Sequence, residues 1–511
     1  MCKILEQYAD KIKGSFSFFD RMIINGYFRP LMNEYSRSSS LYYLGVLYKD
    51  YKSYFSSVTE SITKRIEDSA TELGRPVIYL PSAKERKEDI AKRILSESSV
   101  ENGLICVLKT LESCKTAKVY GSDSGKLVVK SCHTKCLHYY LYYLDEIYGF
   151  MFVKIQTWFP FNIQVYINGR EWMKSVFDKN GIAFQCYDNS FTDISDLAKA
   201  QELADKFDSK KLCRHLDAFA KSINPFLDTV QKTFGQGYYW CVNQCEFATD
   251  IMFKERSFLE DIYPSLVGHA FYDLTVTDVF TFLGRKPDPR FQGEAVSDYK
   301  NRPTGCRVKF KLKSNSVKMY DKCSVLRIET TINDPREFKV YGTVHHHNGT
   351  ESKEWKPMGK SISNLYRYAE ISKSCNQRFL DAMVDIVPVK STLDEIGKVC
   401  SGKKVDGKHI TGFNVWSPDV VRIMENVCDG RYVINGFRNR DISRSIFPEV
   451  KDAKKRSSKT SRLLKKLRQH DLIKKVPRSR RYHVTSKGRR IMGTLIELRH
   501  REYPPLAAKA V

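Results

Sequence analysis

Carboxylates set inside apolar strands are the residues of this chain best suited to chemistry. In CEFATDIMFK (245–254), alternation puts Glu246, Ala248, Asp250 and Met252 on one face; in SVKMYDKCSVLRIETTI (316–332), Arg327, Glu329 and Thr331 share another. Burying a carboxylate is costly unless it is paired or binds a cation, so these positions suit metal ligands or partners for Lys and Arg. Asp250, Asp321 and Glu329 could hold Mg²⁺ or Mn²⁺ for phosphodiester cleavage, with Asp250 and Glu329 as the principal ligands. Tyr320 would then be the nucleophile, and Lys322 or Arg327 would stabilise the phosphorane charge. The competing reading is an internal salt-bridge network, Glu329 with Arg327 or Lys318. A second cluster, Cys132, His133, Cys136 and His138, invites a zinc reading, but only Cys241 and Cys245, far down the chain, offer a second pair. The other cysteines are scattered singly, many in apolar runs such as GLICVLKT, as reduced core residues are.

Local patterning supplies the elements that must position these groups. The first seventy residues read as a helical lead-in, clearest in YKSYFSSVTESITKRIEDSATEL. PVIYLPS, KERKEDIAKRILSE and GLICVLKT follow as strand, helix and strand, the signature of a parallel pair. TAKVYG and KLVVKS read as a hairpin across GSDSG, and LHYYLYYLDEIYG as a tyrosine-rich helix. FMFVKIQTWF and FNIQVYING read as strands, and REWMKSVFDKNGI as a helix closed by Gly181. The aromatics here (Tyr139, Tyr140, Tyr142, Tyr143, Trp158, Phe159, Phe161) suit core packing better than base stacking, because most lie on apolar strands or one helical stripe. After a polar helical stretch, DLAKAQELADKFDSKKLCRHLDAFAKSI, the pattern turns mainly β as far as Tyr341, broken by a helical interval around FLEDIYPSLVGHAFYDL. Residues 361–399 read as helical.

From about Trp416 the pattern is that of a winged helix-turn-helix. Ser417 is a possible N-cap with Pro418 at the first helical position, SPDVVRIMENVC and GFRNRDISRSIF give two helices, and KTSRLLKKLRQHDLI gives a third. Leu463, Leu464 and Leu467 form the apolar face of that third helix. IKKVP and RRYHVTS are short strands around a basic turn, Pro477 to Arg480, which would be the wing, and KGRRIMGTLIELRHR closes the segment. Lys+Arg number 85 against 59 Asp+Glu, giving +26, and residues 451–501 carry nineteen of those cations against Asp452, Asp471 and Glu497. A polyanion is the natural partner, and the expected contacts are Arg438, Arg440, Lys455, Arg456, Lys459, Arg462, Lys465, Lys466, Arg468, Lys474, Lys475, Arg478, Arg480 and Arg481. DNA is the first expectation and structured RNA the second; oligomeric state is open. No apolar run is long enough to span a membrane and the N-terminus is charged where a signal peptide is apolar, so a cytoplasmic setting is expected. A phosphate loop, a nucleophile elbow and a helical His pair with Glu are all absent, leaving ATPase and hydrolase readings without a motif.

FATDIMF, then GCRVKFKLKSNSVKMYDK, then LRIETTI resembles the Tyr, Asp/Asn, Lys followed by Arg, hydrophobic, Glu signature of rolling-circle replication initiators. That resemblance implies nicking of DNA by a Tyr and a metal, with a winged helix for origin binding in some members. The paired histidines of many such nickases have no counterpart upstream, and His345, His346 and His347 come after the motif in a loop-like stretch. Across nearly all of its length the chain also resembles bacterial and mobile-element-associated proteins of unassigned activity, through RKEDIAKRI, GLICVL, QTWFPFNIQVYINGREW, LRIETTIND and INGFRNRDI. This implies a bacterial or phage setting.

The fold expected is α+β and multidomain: a helical lead-in (1–70), an α/β domain (71–235), a β-rich candidate catalytic segment (236–345), a helical connector (346–410) and a winged helix (411–511). The function expected is nucleic-acid binding with metal-dependent nicking or cleavage. The alternative is a non-catalytic regulator or nucleoprotein scaffold whose strand carboxylates are structural.

Overall fold

The computed structural model describes residues 3–501 except 33, 82–84, 122–124, 126, 288–290, 292–293, 303–304, 347–348, 384–388, 406, 416 and 434. Trp416, His347 and part of the GSDSG turn therefore lie outside the described residues. The protein is mixed α/β and built on a large central sheet. It divides into two compact units, one comprising Met1–Gly14, Ile251–Ile328 and Ser374–Val511, the other Ser15–Asp250 and Glu329–Lys373. No described helix is long and apolar enough to cross a membrane.

The unit of Ser15–Asp250 and Glu329–Lys373 carries most of strands β1 (Ile12–Tyr27), β2 (Val77–Tyr79), β3 (Gly103–Gly121), β4 (Leu127–Asp145), β5 (Gly149–Gln156), β6 (Ile163–Asn168), β7 (Phe184–Tyr187), β8 (Ser190–Ile194) and β9 (Tyr239–Phe253). Its strand order is β9-β1-β6-β5-β4-β3-β2. The strand-helix-strand reading appears as β2 parallel to β3 (Val77↔Val107), with the Lys87–Ser96 helix between them in sequence. The hairpin reading is the far end of a longer one, closed at Gly121↔Leu127.

Two expectations need correction. The segment read as a helical lead-in contains β1, a sixteen-residue strand paired with β6 from Arg21↔Asn168 to Gly26↔Ile163; the predicted Tyr51–Glu72 helix follows it. LHYYLYYLD is the end of β4, not a helix. Its tyrosines separate by parity across the sheet. Tyr139 donates to Glu67 of the Tyr51–Glu72 helix at 2.7 Å, while Tyr140 and Tyr142 pack with Ile90 and Ala91 of the Lys87–Ser96 helix. Aromatic runs fit either periodicity, and a two-faced sheet covered by a helix on each side selects the strand. The Gly169–Lys179 helix begins against β1, where a Cβ on Gly169 would lie 2.1 Å from the Phe19 carbonyl oxygen.

In the other unit, β10 (Ala295–Arg302), β11 (Gly305–Leu312), β12 (Asn315–Lys322) and the start of β13 (Val325–Ile332) form an antiparallel meander in that order. Val308, Phe310, Val317 and Met319 are buried on one side, where Phe310 meets Phe282 and Phe379. The C-terminal part of this unit runs as helices Pro418–Cys428, Asn439–Ile446 and Ala453–Gln469, a hairpin of Ile473–Lys475 with Tyr482–Val484, and helix Ser486–Arg501. Phe437 forms a single antiparallel bridge with Tyr482 beside the two-stranded hairpin. Ile423, Ile442, Leu464, Leu467, Leu472 and Ile491 are among the residues of one core. The Ser486–Arg501 helix also contacts the Arg256–Tyr272 helix, and Arg490 pairs with Glu395 at 2.5 Å.

Candidate carboxylate cluster and nucleic-acid interface

β1, β9 and the 329–332 end of β13 bring three carboxylates together. One carboxylate oxygen each of Asp20, Glu246 and Glu329 lies within 4.8 Å of the others, and all three residues are buried. Arg21 engages Glu246 through Nε and, at 3.0 Å, through Nη2. Glu246 also accepts from Gln244 Nε2 at 3.0 Å and from the Thr331 hydroxyl at 3.4 Å, and Asp20 accepts from Asn189 at 3.3 Å. Clustered carboxylate oxygens are the donor set that hard divalent cations take.

This grouping revises the ligand pair read from the sequence. Glu329 is in the cluster, but Asp250 is not: fully buried, it accepts from the Phe191 backbone N–H at 3.0 Å, joining β9 to β8. Asp20 was missed, although FSFFDRMII carries the same signal as FATDIMF, an acid inside an apolar run.

Tyr320, Asp321, Lys322 and Arg327 belong to the other unit. Tyr320 is 8% exposed, Lys322 3% and Arg327 0%, so these side chains are set into the fold. Burial raises the Asp321 carboxyl above the usual range. Cross-strand pairing of Arg307 with Tyr320 and Lys309 with Lys318 puts Arg307, Lys309, Lys311, Lys318, Tyr320 and Lys322 on one face of β11 and β12. Arg307 pairs with Asp298 of β10. Burial, then the charges of Lys318, Arg307 and Lys311, pushes the Lys309 ammonium below its ordinary value. Arg307, Lys318 and Lys322 of this face are buried, while Lys311 is exposed.

The third C-terminal helix presents the densest positive surface. Asp452 caps it, accepting from the backbone N–H groups of Lys454 and Lys455, while Leu464 and Leu467 anchor its inner face. Lys455, Lys459, Arg462, Lys465 and Arg468 project outward, as do Lys474, Lys475, Arg478 and Arg480 on and around the hairpin. Among the described residues none of these nine forms an ion pair. Arg440 is exposed beside Asp441, and Arg438 is half-buried at the start of the Asn439–Ile446 helix. Three other expected contacts are engaged internally. Arg456 donates to Val450 O at 2.9 Å, Lys466 to Gly412 O at 2.7 Å and Arg481 to Asn435 O at 2.7 Å. These three side chains tie the segment together, which sequence alone could not separate from phosphate binding.

Comparison of the chain with protein families, curated proteins and solved structures finds no match.

Proposed function

We propose that this protein binds nucleic acid, DNA foremost, through its C-terminal segment acting as a winged helix. The observation that carries the reading is the outward row of cations on the Ala453–Gln469 helix and the adjoining hairpin, none of the nine paired with a carboxylate among the described residues. The three-helix, hairpin and helix order suits docking of the third helix in a major groove, with Arg478 and Arg480 over the flanking backbone.

The test is duplex binding as a function of salt. Replacing Lys465, Arg468, Lys474 and Lys475 with Gln should lower the slope of log K against log salt by roughly 3 to 4, since each lost phosphate contact removes about 0.9. An unchanged slope would remove the C-terminal segment from the interface.

A second reading, metal-dependent phosphodiester cleavage, is favoured by the Asp20, Glu246 and Glu329 cluster. These residues would hold Mg²⁺ or Mn²⁺, which would polarise a phosphoryl oxygen. Supercoiled plasmid, single-stranded DNA and RNA are incubated with wild type, Asp20→Asn, Glu329→Ala and Tyr320→Phe. Cleavage abolished by both carboxylate variants supports this reading, and a protein-DNA adduct dependent on Tyr320 would add nicking through a covalent tyrosine. Binding without cleavage of any substrate leaves the regulator or scaffold role.

A further inference from the structure

β3 and β4 assemble a thiol and imidazole cluster that the sequence spacing does not display. Their register sets Cys114 opposite Thr134, so that Cys114, Cys136 and His138 share one face of the hairpin. One ligand atom from each of these three residues lies within 4.8 Å of the other two. The Cys114 thiol points at the Thr134 carbonyl at 3.4 Å. The tetrad suggested by sequence spacing does not assemble. His133 falls on the opposite face by parity and is exposed, and Cys132 is directed to the Thr116 hydroxyl at 3.3 Å.

We propose that Cys114, Cys136 and His138 form a binding site for a soft divalent metal, Zn²⁺ in the first instance. Two thiolates and a neutral imidazole balance the 2+ charge, and this donor set selects zinc over Mg²⁺ or Mn²⁺. On binding, each thiol gives up its proton to solvent and its sulfur lone pair forms the metal bond; nothing is oxidised or reduced. The His138 ring is held with Nδ1 donating to the Cys136 carbonyl at 3.1 Å, an outer contact that fixes the tautomer and leaves Nε2 as the metal-binding nitrogen.

Three protein ligands leave the fourth tetrahedral position to a water or an incoming donor. Cys114 and His138 border a cavity of about 180 Å³, also lined by Asn25, Lys154 and Gln164, where such a donor has room. The site is distinct from the Asp20, Glu246 and Glu329 cluster in both residues and ligand chemistry.

The full-length protein, purified with reductant and freed of metal by chelation, is titrated with Co²⁺ as a spectroscopic probe and then with Zn²⁺. One equivalent of Co²⁺ should give thiolate-to-metal charge-transfer absorption and the intense visible bands of a tetrahedral site, both abolished when Zn²⁺ displaces it. Cys114→Ser, Cys136→Ser and His138→Ala should each reduce stoichiometric binding at least tenfold, whereas Cys132→Ser and Cys186→Ser should not. A spectrum without thiolate charge transfer, or one that survives Cys114→Ser and Cys136→Ser, overturns the proposal. A readout on the wild type alone guards against a variant that fails to fold. Zn²⁺ should slow alkylation of Cys114 and Cys136 selectively, as mapped by mass spectrometry. Equal alkylation with and without zinc, or a Cys114–Cys136 disulfide that persists under reductant and excludes metal, also overturns it.

Discussion

Glu112, half-buried on β3, accepts from Lys154 at 2.7 Å, from Lys87 at 3.0 Å and from the Tyr140 hydroxyl at 2.8 Å. Burial alone would raise its carboxyl; hydrogen bonds from Lys154, Lys87 and Tyr140 outweigh it and hold the group well below the usual range. A depressed folded value contributes stability that is fully present above the unfolded value and is lost as pH falls toward the folded one. Glu112→Gln should therefore cost about 1–3 kcal/mol at neutral pH, because it leaves two partly buried ammonium groups short of a partner. The gap between variant and wild type should narrow once pH drops below about 4.3, the ordinary value of Glu. Thermal melts across that range provide the check, and a gap independent of pH would refute the linkage. None of this network was legible in the sequence. The register of β3 against β4 and of β4 against β5 brings Glu112, Tyr140 and Lys154 together, and register is a property of paired strands.

Between single residues and the whole chain, elements were legible where local periodicity was unambiguous. The first two C-terminal helices, the hairpin, β9, and the β11 to β13 strands lie about where alternation and turn residues place them, while the third C-terminal helix starts at Ala453, before the expected KTSRLL, and ends at Gln469. Elements failed where the local signal fits two periods, as in LHYYLYYLD, or where a strand stands among helical neighbours, as β1 does. Close packing between elements sets a further limit on local reasoning. Gly488 sits in the first turn of the Ser486–Arg501 helix, where propensity alone would favour Ala by about 1 kcal/mol. A Cβ there would lie 1.9 Å from the Leu472 carbonyl oxygen, a backbone atom that cannot swing aside. Gly488→Ala should therefore destabilise, by roughly 1–3 kcal/mol in chemical denaturation, reversing the sign that propensity gives. A more stable variant would mean that the helix start does not meet the Leu472 backbone.

Across the whole molecule, the C-terminal segment belongs to the same compact unit as residues 251–328. Two interventions on that segment should then behave differently. The four-residue charge replacement changes exposed side chains, so its stability should stay within about 0.5 kcal/mol of wild type while DNA affinity falls. Truncation at Ile410 would strip the Ser486–Arg501 helix from the Arg256–Tyr272 helix and remove the Arg490 partner of Glu395, so it should lower the melting temperature of what remains as well as affinity. A truncated chain that melts like the full protein would mean that those contacts contribute little to the unit. By itself the sequence determined where the charge lies, that β9 and β13 carry acids, and most helices and strands, because composition and periodicity are local properties. Only the tertiary structure decided which acids and thiols meet: Asp20 with Glu246 and Glu329, Asp250 with the Phe191 amide, Cys114 with Cys136 and His138. Those groupings depend on strand order and register between segments distant in the chain, and no local pattern encodes them.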